Sequence, residues 1–358
     1  MSEVVDWGLA ERVSAALIAG LPGRGDAFTG GYSAAEVERA CEEAISAASA
    51  YAGLGEVADP PRAELIDRRA WARNALATLA EAAAPVEARV AAELDLPGPL
   101  GAIARRGVGA TVGTEAGLAA GYAAKRVLGQ YDLAVIGPPR PARLLFVAEN
   151  MEAARRNLEA DAGLFLRWVA LHETTHVIQF ERVPWLAPHL RGLAAGLIEG
   201  AGEGLDGAGL AALGRRLIRD PRQLVRALLA GELTRLLADP QRRRLLDRLQ
   251  ATMSVIEGHA EHVMDASAAD LPGLAELRRR VDERRSRRGG LGELIARLFG
   301  LELKLRQYEL GKAFCDAVVA EAGPGALLTV WRSPADLPDL GELEAPRRWL
   351  ERVAAVPA

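Results

Sequence analysis

The chain has 358 residues, of which 50% are hydrophobic and 26% are charged. This composition excludes a disordered or collagen-like chain, because it supplies enough apolar side chain to build a core. The formal net charge is -4, from 44 basic and 48 acidic residues. Such a balance gives no overall field that would attract nucleic acid, so we expect no nucleic-acid partner.

In the first half of the chain, helical periodicity dominates and strand-like alternation is scarce. The pattern predicts helices over residues 33–54 and 62–84. The glycine-rich stretch 107–121 is consistent with a close helix contact or with a mobile loop. It matches neither a dinucleotide fingerprint nor a phosphate loop, which excludes a nucleotide cofactor there. Residues 131–136 and 143–147 predict two strands of a small sheet.

In the second half, one long helix is predicted from Met151 to about Arg182, and others over residues 241–265 and 291–321. The expected fold class is therefore mainly α, with a small β-sheet. We divide the chain into a helical region (1–100), a glycine-rich segment with the sheet (101–150), a core that contains all five histidines (151–270) and a C-terminal helical region (271–358), together forming one continuous unit.

The cysteines and the N-terminal residues indicate a cellular location. Cys41 and Cys315 lie far apart and form no CxxC pair, which argues against a disulfide framework and a thiolate metal site. Residues 1–23 carry acids where a signal peptide needs a basic segment, and no stretch approaches ~18 uninterrupted apolar residues. We expect a cytoplasmic protein with no membrane partner. The oligomeric state stays open.

The predicted long helix contains the pattern HExxH, from His172 to His176. Residues four apart on an α-helix lie on one face, so both imidazoles can reach one Zn²⁺. Glu173 projects beside them as a general base for water. The pattern is short enough to arise by chance, but all five histidines lie between positions 172 and 262, and this clustering favours a metal site.

A catalytic zinc takes a third protein ligand and keeps its fourth position for water or substrate. The donor-rich segment 256–265 lies in an apolar, helical stretch, where unpaired charges would be costly. We favour Glu257 as the third ligand over Glu261, His259 and His262. The two histidines also have an ordinary interpretation, as hydrogen-bonded side chains of a helix interface.

The remaining candidates are residues that would support the metal or the transition state. A ligating histidine normally donates its second N–H to a carboxylate or carbonyl. The carboxylates considered for this are Glu261, Asp265 and Asp161. The oxyanion that develops on a scissile carbonyl needs a hydrogen-bond donor. By residue type the candidates are Tyr308, Arg306, Tyr131 and His259, each of which also has a structural interpretation.

Three segments resemble a bacterial family of zincin-like metallopeptidases. They are HETTHVIQF (172–180), VPWL (183–186) and MSVIEGHAE (253–261). Shorter segments with the same resemblance are Ile66-Asp67-Arg68 with Trp71 and Asn74, residues 127–132, 145–150 and 303–308, and Val330-Trp331. Members of this family are labelled as hydrolases or as proteins associated with deazaflavin-coenzyme biosynthesis. The resemblance covers nearly the whole chain.

This resemblance implies a largely helical zincin-like fold in which a long HExxH helix and a second helix carry the ligands. It implies that His172, His176 and Glu257 hold zinc in a gluzincin-like set, with Glu173 as the base. Position 261 is Glu, where the better-known ExxxD pattern of thermolysin-like enzymes has Asp. This difference affects which residues hydrogen-bond to the metal ligands, and it leaves the implied ligand set unchanged.

The function we expect is a zinc-dependent hydrolase, a metallopeptidase that cleaves a peptide or amide bond with metal-activated water. One alternative is a non-catalytic scaffold whose metal merely ties helices together, with His259 as a fourth ligand. Another is an accessory protein that binds a component of deazaflavin-coenzyme biosynthesis without hydrolysing it.

Two further segments have open interpretations. Residues 278–288 are rich in arginine and are typical of a solvated connector, or of a surface that recognises an acidic or phosphorylated ligand. The strand over residues 144–147 is either an edge on which an extended peptide binds or an internal strand of the sheet.

Overall fold

The computed structural model describes residues 4–19, 31–93, 99–133, 140–202, 240–286 and 301–355. The helices are α1 (Trp7–Ala19), α2 (Ala34–Ala52), α3 (Arg68–Glu93), α4 (Pro99–Ala124), α5 (Ala148–Asn157), α6 (Ala162–Arg182), α7 (Leu186–Gly202), α8 (Pro240–Ser267), α9 (Leu274–Ser286), α10 (Leu301–Ala322), α11 (Leu340–Glu344) and α12 (Pro346–Ala354), with a 3-10 helix over Pro324–Trp331. The strands are β1 (Ala63–Ile66), β2 (Gly129–Asp132) and β3 (Arg143–Val147). The prediction of a mainly helical fold with a small sheet is confirmed.

The chain forms two compact units. The first comprises the described residues of Met1–Glu38, Pro61–Glu159 and Ala201–Glu203. The second comprises those of Arg39–Pro60, Ala160–Gly200 and Gly204–Ala358. All residues of the predicted zinc ligand set belong to the second unit.

The first unit contains a three-stranded sheet in the order β1-β3-β2. Strand β3 pairs in parallel with β1, where Ile66 is opposite Val147, and antiparallel with β2, where Gly129 is opposite Phe146. Because β3 has a neighbour on each side, it is an internal strand, and its interpretation as a peptide-binding edge is wrong.

Strand β1 was not predicted, because the helix predicted over residues 62–84 includes its residues; the start of that helix is therefore wrong. The helix instead begins at Arg68, where the carboxylate of Asp67 accepts a hydrogen bond from Ala70 N at 2.6 Å and caps the first turn. The four residues Ala63–Ile66 precede this cap, so they lie outside the helix and pair with β3. The predicted strand over 131–136 is seen as β2, from Gly129 to Asp132, while residues 134–136 lie outside the described residues.

The glycine-rich stretch forms part of α4, which packs on α1 at very short range. A Cβ atom on Gly113 would lie 2.4 Å from Asp6 O, and one on Gly117 would lie 2.4 Å from Ala10 O. Glycine at every fourth position therefore presents a strip without side chains, and the backbone of the first segment lies against it. Of the two interpretations of this stretch, the close helix contact is right.

The predicted long helix from Met151 is interrupted. Glu159 adopts a positive φ of 49°, which a helix cannot accommodate. Asp161 then caps a new helix by accepting a hydrogen bond from Leu164 N at 2.9 Å. The prediction of one continuous helix is therefore wrong: α5 ends at Asn157 and the histidine-bearing helix α6 begins at Ala162.

Two further features concern the helices and the cysteines. Across the described ranges, no helix combines the length and the apolar character that crossing a bilayer requires. Cys41 and Cys315 are both buried and free. Neither thiol forms a disulfide.

We expect alanine at Gly113 to destabilise the protein by about 1–3 kcal/mol, because the new methyl group overlaps main-chain atoms of the facing segment. The matched control is Gly107→Ala in the same helix, where a Cβ meets nothing within 4 Å. That change should stabilise by up to about 1 kcal/mol, since alanine is the better helix former. Urea unfolding of both variants checks the pair. Equal effects would contradict the close backbone contact.

Candidate metal centre

Helix α6 places the two histidines of HExxH in the interior of the second unit. Its residues from Val169 to Leu171 and from Glu173 to Gln179 are buried, and the hydroxyls of Thr174 and Thr175 donate to main-chain carbonyls one turn earlier. His172 keeps 22% of its side chain exposed and His176 keeps 10%. Most of this helix is therefore enclosed, while the imidazoles stay within reach of solvent.

Helix α8 brings Glu257 to the same place. Its Oε2 lies 3.5 Å from His172 Nε2 and 3.4 Å from His176 Nε2, and the two Nε2 atoms lie 3.3 Å apart. These three residues form a group able to hold a metal ion. The carboxylate is itself mostly buried, with 16% of its side chain exposed.

The donor chemistry and spacing fit a tetrahedral metal. Zinc binds imidazole nitrogen and carboxylate oxygen at about 2.0–2.2 Å, which corresponds to about 3.4 Å between ligands of a tetrahedron. The three separations are 3.3, 3.4 and 3.5 Å. Three such donors are one fewer than the four ligands that a tetrahedral metal takes.

The charges of this group are mutually dependent. Burial by itself lowers the pKa of His176, but the carboxylate of Glu257 outweighs that effect and raises the pKa of His176 to about 9. Burial likewise opposes ionisation of Glu257, yet the two imidazoles hold the pKa of Glu257 well below its usual range. The negative charge of Glu173 also acts on His176. The ionised carboxylate and the imidazoles therefore stabilise each other's charged forms.

The position of Glu257 depends on a contact between α8 and α10. A Cβ on Gly258 would lie 2.0 Å from Gly311 C, and a Cβ on Gly311 would lie 1.8 Å from Ser254 O. Such distances are far below van der Waals contact, so only glycine fits at either position. Because Gly258 follows Glu257 directly, this backbone contact determines where the carboxylate lies.

The second ring nitrogen of His176 is bound by an amide instead of one of the predicted carboxylates. His176 Nδ1 lies 2.8 Å from Gln179 Oε1. Gln179 Nε2 lies 2.9 Å from Ile256 O and 3.0 Å from His259 Nδ1. Sequence reasoning missed Gln179, although its place one turn after His176 on the same helix is a usable signal.

The three predicted carboxylates have other contacts. Asp161 caps α6 at its N-terminus. Asp265 pairs with Arg278 at 2.6 Å and with Lys312 at 3.3 Å, and Glu261 lies 3.6 Å from Arg278. These ion pairs join α8 to α9 and α10. For Asp161, Asp265 and Glu261 a role as partners of the ligands stays a prediction.

The two histidines of α8, His259 and His262, lie in helix interfaces. His259 is 2% exposed and meets the ring of Trp331 edge-on at 5.1 Å. Burial, with the nearby His262, lowers the pKa of His259 to about 3, so it is neutral. His262 lies between Tyr51 Oη at 2.8 Å and Asp316 Oδ1 at 2.6 Å.

The predicted oxyanion donors are placed as follows. Tyr131 lies in β2 of the first unit. Tyr308 and Arg306 lie on α10, where the described part of the structure gives their backbone position. His259 Nδ1 already faces Gln179. The identity of the oxyanion donor stays a prediction.

The arginine-rich segment is helical as far as Ser286, and residues 287–288 lie outside the described residues. Arg279 and Arg280 pair with Glu276 at 2.7 and 2.6 Å, one turn away on the same helix. Arg278 is turned inward to Asp265. The part that is described is therefore a helix with internal ion pairs.

Comparison with known proteins identifies the family. The profile of the zincin-like metallopeptidases matches residues 5–350. The chain belongs to this family. A protein from Chloroflexus aurantiacus, whose crystal structure is described as that of a candidate hydrolase with a novel fold, matches with a TM-score of 0.69 and 27% sequence identity. The match covers 99% of this chain and 100% of that one. No curated protein matches.

The resemblance noted in the sequence is thus confirmed, and the family and the structural neighbour both support a hydrolase. A zincin-like metallopeptidase implies a metal, and among the described residues His172, His176 and Glu257 form a group that could hold one.

Replacing Gly258 by alanine should move α8 away from α10 and displace Glu257. We expect a loss of about 3 kcal/mol or more in stability, because the methyl group overlaps main chain instead of a movable side chain. Gly192→Ala in α7 is the control, since a Cβ there meets nothing within 4 Å. Thermal unfolding of the metal-free proteins checks this. A Gly258 variant as stable as the control would contradict the proposed contact.

Proposed function

We propose that the protein is a zinc-dependent hydrolase, a metallopeptidase that cleaves a peptide or amide bond. The observation that carries the proposal is the set of three donor atoms separated by 3.3 to 3.5 Å, the spacing of a tetrahedral zinc site with one open corner. Membership in the zincin-like metallopeptidase family supports the same reaction class.

In this proposal, His172, His176 and Glu257 hold Zn²⁺. When bound, Zn²⁺ supplies Lewis acidity that lowers the pKa of water and polarises a carbonyl. Glu173 follows His172 directly, is 7% exposed, and its negative charge acts on His176. Glu173 accepts the proton of the attacking water and returns it to the leaving nitrogen.

The geometry favours this function over a metal-tied scaffold. A structural site would fill its fourth position with a further protein ligand. The fourth ligand considered was His259, whose Nδ1 instead faces Gln179 Nε2 at 3.0 Å. Among the described residues, the group able to hold a metal consists of His172, His176 and Glu257, without His259. A base placed beside the first histidine also has no use in a structural site.

Metal content tests the ligand set. Protein purified without a histidine tag and then equilibrated with zinc should contain about one zinc per chain by plasma mass spectrometry. His172→Ala and Glu257→Ala should each lose most of it, because two donors alone form a weak site. Wild type that remains free of zinc, or variants that keep it, would overturn the ligand assignment.

A separate experiment tests the base. Glu173→Gln keeps the shape of the side chain but cannot accept a proton, so it should retain zinc and lose at least about 10²-fold in kcat/KM. The substrate is found first by screening wild type against a peptide library with mass-spectrometric detection. Glu181→Gln, on the surface at the end of α6, is the matched control. Cleavage by Glu173→Gln at the wild-type rate would contradict the assigned role.

A further inference from the structure

Gln179 connects the two helices that carry the metal ligands. It is completely buried, and its amide lies between a ligand on α6 and the main chain of α8. Its Oε1 is 2.8 Å from His176 Nδ1, and its Nε2 is 2.9 Å from Ile256 O, the carbonyl that precedes Glu257. The side chain of Gln179 therefore contacts the ligand His176 directly, and it reaches the ligand Glu257 through the carbonyl of Ile256.

The orientation of this amide follows from its partners. Ile256 O is a carbonyl oxygen and only accepts hydrogen bonds, so the amide must present its NH₂ group to it. His259 Nδ1, which also faces the NH₂ group at 3.0 Å, is then an acceptor. The amide oxygen is left facing His176. Rotating the amide by half a turn would place two oxygens against each other at Ile256.

The tautomer of His176 follows from the same argument. Its Nδ1 faces an oxygen that can only accept, so Nδ1 carries the hydrogen and donates it. In the neutral imidazole, which is the form that binds a metal, the other nitrogen, Nε2, then has a free lone pair. Nε2 is the atom that lies 3.4 Å from Glu257 Oε2 and 3.3 Å from His172 Nε2. A fixed carbonyl on α8 thus determines which nitrogen of a side chain on α6 is free to bind.

We infer that Gln179 is a positioning residue of the metal centre, which selects the Nδ1–H tautomer of His176 and holds α8 in register with α6. The inference rests on the proposed function, since it concerns zinc held by His176 and Glu257. In this inference a neutral amide orients a zinc-bound histidine and fixes its tautomer, as a carboxylate does in many zinc sites. The amide differs from a carboxylate in offering a donor as well as an acceptor, and here both are used.

Two substitutions separate the two parts of this role. Gln179→Leu removes the acceptor for His176 and the donor for Ile256. Gln179→Glu keeps an acceptor for His176 but, when ionised, has no donor for Ile256 O or His259 Nδ1. Leucine should therefore weaken both tautomer selection and the connection between the helices. Glutamate should weaken the connection and retain the tautomer.

Thr252→Val provides a matched control. Thr252 is 2% exposed, lies on α8 and has its Oγ1 3.5 Å from His189 Nε2 at the interface with α7. Its replacement removes a buried polar contact of the same helix without touching a metal ligand. Any loss of zinc binding caused by general loosening of α8 should appear in this variant too.

The experiment measures zinc affinity by competition with a chromophoric chelator, and the unfolding temperature of each protein without metal. We expect Gln179→Leu to bind zinc about 10–100-fold more weakly than wild type, in line with other partners of zinc-bound histidines. We expect Gln179→Glu to lie within a few-fold of wild type in affinity although its metal-free form is less stable. Thr252→Val should keep wild-type affinity.

The possible failures are distinguishable. If wild type binds about one zinc and Gln179→Leu binds it equally well, Gln179 has no role at the metal and the inference is wrong while the proposed function stands. If Thr252→Val loses as much affinity as Gln179→Leu, the effect is general loosening and the inference is again wrong. If wild type itself binds no zinc, the proposed function and the inference fall together.

Discussion

The contact between the backbones of α8 and α10 is the constraint on which the metal centre depends. Gly258 and Gly311 face each other there, and a methyl group on either would overlap main-chain atoms of the other helix. Main chain cannot move aside as a side chain can, so the separation of the helices is set by the absence of side chains at this point. Glu257 precedes Gly258 and is held by the same contact at 3.4 to 3.5 Å from two imidazole nitrogens.

The other side of α8 is positioned by polar contacts with α6. Gln179 satisfies the carbonyl of Ile256, and through its oxygen it fixes the ring of His176. Close backbone packing on one side and a buried amide on the other leave α8 little freedom to slide or rotate. A site whose donors are held before the metal arrives loses less entropy on binding, which is how a preorganised centre gains affinity.

Much of this arrangement could be predicted from sequence, because its signals are local. HExxH on a periodic segment placed His172 and His176 on one helical face, and the donor-rich segment 256–265 favoured Glu257 as the third ligand. Features that depend on distant residues were missed. Strand β1 exists only because β3 lies beside it, and Gln179 acquires its role from a carbonyl 77 positions later in the chain. The N-terminal cap at Asp161 divides the predicted long helix in two. This cap was a local signal in the sequence, but the apolar periodicity on both sides of it favoured a single helix.

Anomalous diffraction at the zinc edge, from crystals of the zinc-loaded protein, tests the central claim most directly. The account predicts one peak bonded at about 2.1 Å to Nε2 of His172, Nε2 of His176 and the carboxylate of Glu257, with the fourth position free of protein ligands. His176 should bind through Nε2 while its Nδ1 remains on Gln179. A peak at other residues, or a fourth protein ligand closing the site, would contradict it.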